Sequence, residues 1–298
     1  MSSRPQKTYI CLLLLLFAAL PAAAQSLPGF GGDITLTVTP EFPRANEEVS
    51  VSARGFSVDL DRANFSWFLN GTLQKRGVGA RTFSFKTGTL GGTSSLTVIV
   101  ESLSQGNFKE TRVIRPAEVD ILWETDAYTP PFYKGKGLPS SESRLRLSAM
   151  PFLMAGNGKI QKPESLVYSW EQDGKTLLAE SGFGKQTVTI EGPRLFQESI
   201  VSLEVSSLDG SIKAKKTTFF VPVSPQVTFY EKHPLRGIIY EQALKERYAL
   251  LKSEFALRAE PYFFPRGALL PTGQAVNNSA VEYEWSVNER SVSSQKQN

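Results

Sequence analysis

Two residue types that carry much of protein chemistry are almost missing from this chain, which has one cysteine and one histidine in 298 residues. The cysteine, Cys11, falls inside an N-terminal leader, so the mature protein is expected to have none. That excludes a disulfide framework, thiol catalysis and cysteine-based zinc sites. His233, before Pro234 in a linker-like stretch, is the only imidazole, so a Ser-His-Asp triad would have to use it, and no G-x-S-x-G elbow supplies a nucleophile. Transition metals find almost no nitrogen or sulfur ligands. An apolar run of about 20 residues, as a membrane span needs, is also missing. So is helical periodicity. Paired-carboxylate hydrolysis is not excluded by composition, but small repeated sandwiches offer no deep cleft for it. The chain reads as a non-enzyme with no cofactor.

Charge is nearly balanced, with 33 basic against 29 acidic residues. Losing Arg4 and Lys7 with the leader lowers the net charge from +4 to +2. Nothing in that balance points to nucleic acid. The densest basic run, Lys213, Lys215 and Lys216, reads as an edge strand guarded by lysines.

What is present begins with the leader itself. Arg4 and Lys7 precede an apolar run from Ile10 to Leu20, followed by Pro21 and Ala22-Ala23-Ala24. A positive start, a short apolar stretch and small residues before the cut make a secretory signal over residues 1–24. Export follows, and a secreted protein without disulfides leans towards a bacterial surface or envelope.

The mature chain repeats itself. Phe65-Ser66-Trp67 followed by Asn70-Gly71 returns as Tyr168-Ser169-Trp170 followed by Asp173-Gly174, and again as Tyr283-Glu284-Trp285. An aromatic and a tryptophan two positions apart share one face of a strand, and Asn-Gly or Asp-Gly favours a tight hairpin. The alternation assigns Phe65, Trp67, Tyr168, Trp170, Tyr283 and Trp285 to cores rather than to exposed sugar-stacking positions. Short alternating runs surround each copy: 34–39, 48–53, 82–86, 96–100 and 108–114 in the first, and 143–149, 182–190 and 200–205 in the second. Val51 with Val98, and Leu147 with Leu203, stand where facing strands of such a sandwich often carry a disulfide. A further landmark recurs as Ala53-Arg54-Gly55-Phe56, Ala149-Met150-Pro151-Phe152 and Ala259-Glu260-Pro261-Tyr262. Such internal repetition predicts an all-β fold of tandem immunoglobulin-like sandwiches. The units are 33–116, 117–223 and 226–298, the last incomplete and read as a fragment. Residues 240–252 are the ambiguous stretch, expected to hold a loop and a short turn of helix.

The Y/F-x-W pattern with its D/N-G turn resembles PKD-like and bacterial Ig-like modules of secreted surface proteins, although the W-x-F-G-D-G continuation of the PKD signature is missing after Trp67 and Trp170. Longer phrases, 115–124, 129–136 and Ser206-Ser207-Leu208-Asp209-Gly210, resemble multi-domain secreted proteins of Parcubacteria-type candidate phyla. The resemblance implies sandwiches on the cell surface, with a possible membrane anchor beyond this C-terminus, and it carries over no catalytic residue.

Candidate sites are few. Asp59 and Asp61 could offer two carboxylates to calcium, although an aspartate capping its own turn explains them as well. Phe132 and Tyr133, between prolines and glycines, are the candidate binding aromatics; the plainer reading is that they fill the joint between units one and two. The function expected is a spacer or adhesive array whose partner is a surface protein or glycan. The alternative is a non-catalytic, possibly glycan-binding region of an exported enzyme whose catalytic domain lies past Asn298.

Overall fold

A computed structural model describes residues 34–56, 58–104, 106–245, 248–249, 255–265, 284–287 and 289–292. The leader and Tyr283 lie outside them.

The first sandwich is built from β1 (Ile34–Thr39), β2 (Glu48–Gly55), β3 (Asn64–Leu69), β4 (Thr72–Val78), β5 (Thr82–Lys86), β6 (Ser94–Ser102) and β7 (Gly106–Ile114). Three strands in the order β1-β2-β5 face four in the order β4-β3-β6-β7, and every pairing is antiparallel. The period-two pattern makes the layers: Val49, Val51 and Ala53 on one sheet and Leu96, Val98 and Val100 on the other are buried, while their neighbours stay wetter. Asn70 and Gly71 join β3 to β4 with φ of 51° and 81°, the conformation a right-twisted two-residue hairpin demands.

The second sandwich repeats the plan. Its strands are β8 (Glu118–Thr125), β9 (Arg144–Phe152), β10 (Val167–Gln172), β11 (Lys175–Thr176), β12 (Gly182–Phe183), β13 (Thr187–Glu191), β14 (Ser199–Ser206) and β15 (Lys213–Phe220). The order is β13-β9-β8 against β11-β10-β14-β15, with β12 also on β10. Each sandwich holds its own apolar cluster, centred on Trp67 and on Trp170. Lys213, Lys215 and Lys216 do sit on the edge strand β15, where Lys213 pairs with Glu204 at 3.0 Å and Lys216 with Asp120 at 3.2 Å.

The third unit contributes β16 (Gln226–His233), β17 (Gly237–Ala243) and β18 (Leu257–Tyr262) in the order β17-β16-β18, and a hairpin of β19 (Trp285–Val287) and β20 (Arg290–Val292). Two expectations are corrected here. Residues 240–243 are strand rather than loop or helix, because pairing with β16 outweighs the helical propensity of Glu241 and Gln242. His233 closes the β16–β17 hairpin instead of lying in a linker, its Nδ1 accepting from the amides of Leu235 and Arg236.

Two joints connect the units. At the first, the Ala117 amide donates to Pro43 at 3.3 Å, and Gly91 lies so close to Met154 that no side chain fits between them. At the second, the β8–β9 connection leans over the third unit: the Phe263 amide donates to the Tyr128 carbonyl at 2.6 Å and the Tyr128 amide donates to the Phe264 carbonyl at 2.7 Å, while Val223 donates to Pro139 at 2.8 Å.

Candidate functional site

The tryptophans occupy matching positions. Trp67 and Trp170 are fully buried, opposite Val98 and Leu203, and each indole nitrogen donates to a backbone carbonyl, Ala80 at 2.8 Å and Lys185 at 2.9 Å. Phe65, Trp67, Phe83 and Phe85 stack in one ladder that crosses from sheet to sheet. Tyr168 is buried with its hydroxyl on the Pro163 carbonyl; burial first and the Glu164 charge second push it up to about 12. Trp285 is half-buried and meets Phe229 at 5.9 Å. Phe65, Trp67, Tyr168 and Trp170 are enclosed by protein and present no face to a ligand.

Trp123 went unweighed in the sequence, although its alternation with Val119 and Ile121 marks it. It meets Phe220 edge-on at 5.3 Å across the two sheets and carries the Lys136 ammonium 3.3 Å from its ring centroid. Desolvation there lowers the Lys136 pKa from its ordinary value, and the aromatic face supplies the attraction that holds the charge.

Phe132 and Tyr133 do not fill the joint between units one and two. They lie at the second joint, half-buried among Tyr230, Tyr240, Tyr262 and Phe263 of the third unit. Phe132 stacks on Tyr240 at 3.8 Å and meets Tyr230 edge-on, while Tyr133 meets Tyr262 and Phe263 edge-on. Below the rings Glu260, 3% exposed, accepts from Arg258 at 2.8 Å and from the Tyr240 hydroxyl at 3.2 Å, and the Tyr230 and Tyr262 hydroxyls bond each other at 2.7 Å. Burial raises the pKa of both Tyr240 and Tyr262; the Glu260 charge adds to the first and the Tyr230 hydroxyl to the second. These aromatics are engaged within the chain.

Asp59 and Asp61 are exposed. Asp59 accepts from the Asp61 amide at 3.2 Å and lies 3.9 Å from Arg62, while Asp61 pairs with Arg81 at 2.7 Å. Among the described residues no group of three or more His, Cys, Asp or Glu could hold a metal ion. No helix there is long and apolar enough to cross a membrane.

Two shallow openings lie among the described residues near the joints. An apolar depression of about 240 Å³ lies beside Leu195, Phe196 and Val221, near the second joint. A larger and more polar cleft, about 550 Å³, lies at the first joint between Arg115, the 155–161 segment and the β14–β15 turn. Arg115 is half-buried there, and its Nε is shut from solvent with no acceptor. An unsatisfied buried donor costs roughly 1–3 kcal/mol, and more on a charged group. Facing it, Asp209 accepts from the Ser207 hydroxyl at 2.5 Å and the Ser211 amide at 3.1 Å. Those bonds, the Ser207 hydroxyl first, hold its carboxyl down at about 2. Periodicity cannot reveal this site, because its residues sit in a linker and two turns.

Two antiparallel sandwiches, three strands on four and three on five, define a tandem array of immunoglobulin-like β-sandwich domains. No family model matches the chain, and no curated protein does. Among solved structures it is similar to fibronectin(III)-like modules of Clostridium thermocellum CbhA, at 11% identity over 63% of this chain and 94% of that one, TM-score 0.29. It is also similar to three N-terminal domains of the outer capsid protein Hoc of bacteriophage RB49, at 13% identity over 72% and 82%, TM-score 0.27. A third likeness is to the Yersinia pseudotuberculosis adhesin InvE, at 17% identity over 64% and 61%, TM-score 0.22.

Proposed function

We propose that the chain is an exported, non-enzymatic protein of a bacterial cell surface or envelope, whose tandem sandwiches space or hold a partner outside the cell. The observation that carries this reading is the use of the large aromatics. They fill two repeated cores and a joint, so recognition falls to loops and inter-unit clefts. The leader over residues 1–24 supports export. The repeat supports unit limits of 33–116, 117–223 and 226–298, and the two clusters around Trp67 and Trp170 support the first two, with Phe65, Trp67, Tyr168 and Trp170 as core residues. The partner is a surface protein or a glycan.

Labelling of intact cells with a membrane-impermeant reagent, together with N-terminal sequencing, tests the proposal. Labelled chain beginning at Gln25 is the expected result. Chain retained in the cytoplasm and starting at Met1, or hydrolytic activity in the purified mature protein, would end it.

A further inference from the structure

Phe196 belongs to neither core nor joint. It sits in the turn Arg194–Gln197, closed by the Gln197 amide donating to the Arg194 carbonyl at 3.0 Å, with a φ of 61° and 90% of its surface in water. A bulky side chain suits this backbone position poorly, because φ above zero favours glycine or asparagine. The first sandwich supplies the comparison. Its turn Thr89–Gly92 stands as far before β6 as Arg194–Gln197 stands before β14, and the same bond closes it at 2.9 Å. The matching position there is Gly91, with a φ of 81°, and it lies against Met154 of the next unit. The turn is thus a contact element in the first sandwich. In the second it carries an exposed ring where the fold asks only for glycine, and strain of that kind is kept where it serves a function.

The surroundings continue the apolar surface. Leu195, Ile200, Phe219 and Val221 are between 38% and 63% exposed. Ile200 and Phe219 are cross-strand partners on β14 and β15, and Val221 follows Phe219 on the same face. Leu195, Phe196 and Val221 line the depression of about 240 Å³, with Pro222 and Val223 beyond them. At about 150–200 Å² for a whole side chain, the five expose roughly 500 Å² of apolar surface, towards the upper end of what a monomer leaves open. The patch is also complementary to itself. Phe196 is a knob beside a hole, so a two-fold axis lets each ring enter the other copy's depression. Arg194 and Glu198 flank it with one charge of each sign, and the same axis allows Arg194 of each copy to face Glu198 of the other. Two such faces bury roughly 1,000 Å² of apolar surface, which with a polar rim reaches the lower limit of a specific interface, about 1,200 Å². We infer that this face of the second sandwich pairs with the same face of a second copy of the chain. The inference goes beyond the proposed surface role and holds wherever the chain resides.

The test is sedimentation of the chain from Gln25 to Asn298 across a concentration series. A reversible dimer with a dissociation constant in the micromolar range is expected, and hydrogen exchange at 195–198 and 221–223 should slow as it forms. Phe196→Asn should weaken association at least about tenfold. Asparagine suits the left-handed backbone, so at dilution, where both chains are monomers, this variant should melt at or above the native temperature. Phe183→Ser removes an exposed ring beside Val167, at the end of β10 away from the patch, and should leave association unchanged. A chain that is monomeric at every concentration overturns the inference, whether the patch stays bare, is covered from within the chain or serves a different partner. So does a dimer that Phe196→Asn leaves intact. A Phe196→Asn chain that melts lower at dilution overturns it too, since the ring would then pack within its own chain.

Discussion

At the scale of single residues, the two buried indoles have the largest consequences. A buried tryptophan removes roughly 200 Å² from water, worth about 5 kcal/mol as an upper bound at about 25 cal/mol per Å². Each indole N–H also meets a carbonyl that would be stranded without it. Trp67→Ala and Trp170→Ala are each expected to cost about 3–5 kcal/mol. Because each core is a separate cluster, Trp67→Ala should lower only the first sandwich's calorimetric transition; equal lowering of every transition would contradict that. Gly91 is the converse case, where added atoms destabilise. Its φ is +81° and a Cβ would strike the Met154 sulfur. Gly91→Ala should therefore lower the melting temperature through backbone strain of roughly 1 kcal/mol and steric conflict, and adding Met154→Ala should recover only the steric share.

Secondary-structure elements differed in how far the sequence revealed them, and the difference follows the range of the forces. The runs at 34–39 and 82–86 alternate and appear as β1 and β5, and the apolar run at 96–100 appears as the middle of β6. Burial on one face writes itself into neighbouring letters. The end of β17, residues 240–243, departs from the expected loop and helical turn because Glu241, Gln242 and Ala243 favour helix locally, while the partner β16 acts through pairing that no short window contains. The joint aromatics were misplaced for the same reason: only the folded chain brings Phe132 onto Tyr240. The Arg115 cleft was illegible because turns and linkers carry no period. The β8–β9 connection yields its own prediction. Phe132→Ala removes a half-buried ring and should cost about 1 kcal/mol, near half the figure for a fully buried one, read as faster hydrogen exchange in β16 and β18 with exchange in β3 and β6 unchanged. Slower or unaltered exchange in β16 would show that the stack does not hold the third unit.

For the whole molecule, stability should depend on alkaline pH through the second joint. Tyr262 and Tyr240 titrate above the ordinary value of 10.0 when folded. The folded state therefore holds protons that the unfolded state has released, and their stabilising contribution is complete below pH 10. It fades as pH rises from there through the folded values. The third unit is expected to loosen above pH 10 before the Trp67 sandwich does, followed by tyrosinate absorbance against tryptophan emission. Simultaneous loss of both signals would show that the joint is not the weak point at high pH.

The connection between the second and third units also has a mechanical meaning. A single peptide linker lets two bodies swivel, whereas here the third unit is held both through residues 221–226 and by the β8–β9 connection, where Tyr128 bonds to Phe263 and Phe264. Two separated attachments resist torsion and bending that one cannot. Tension along the array then loads both in parallel, and this end of the chain behaves as a stiff lever that transmits direction as well as distance.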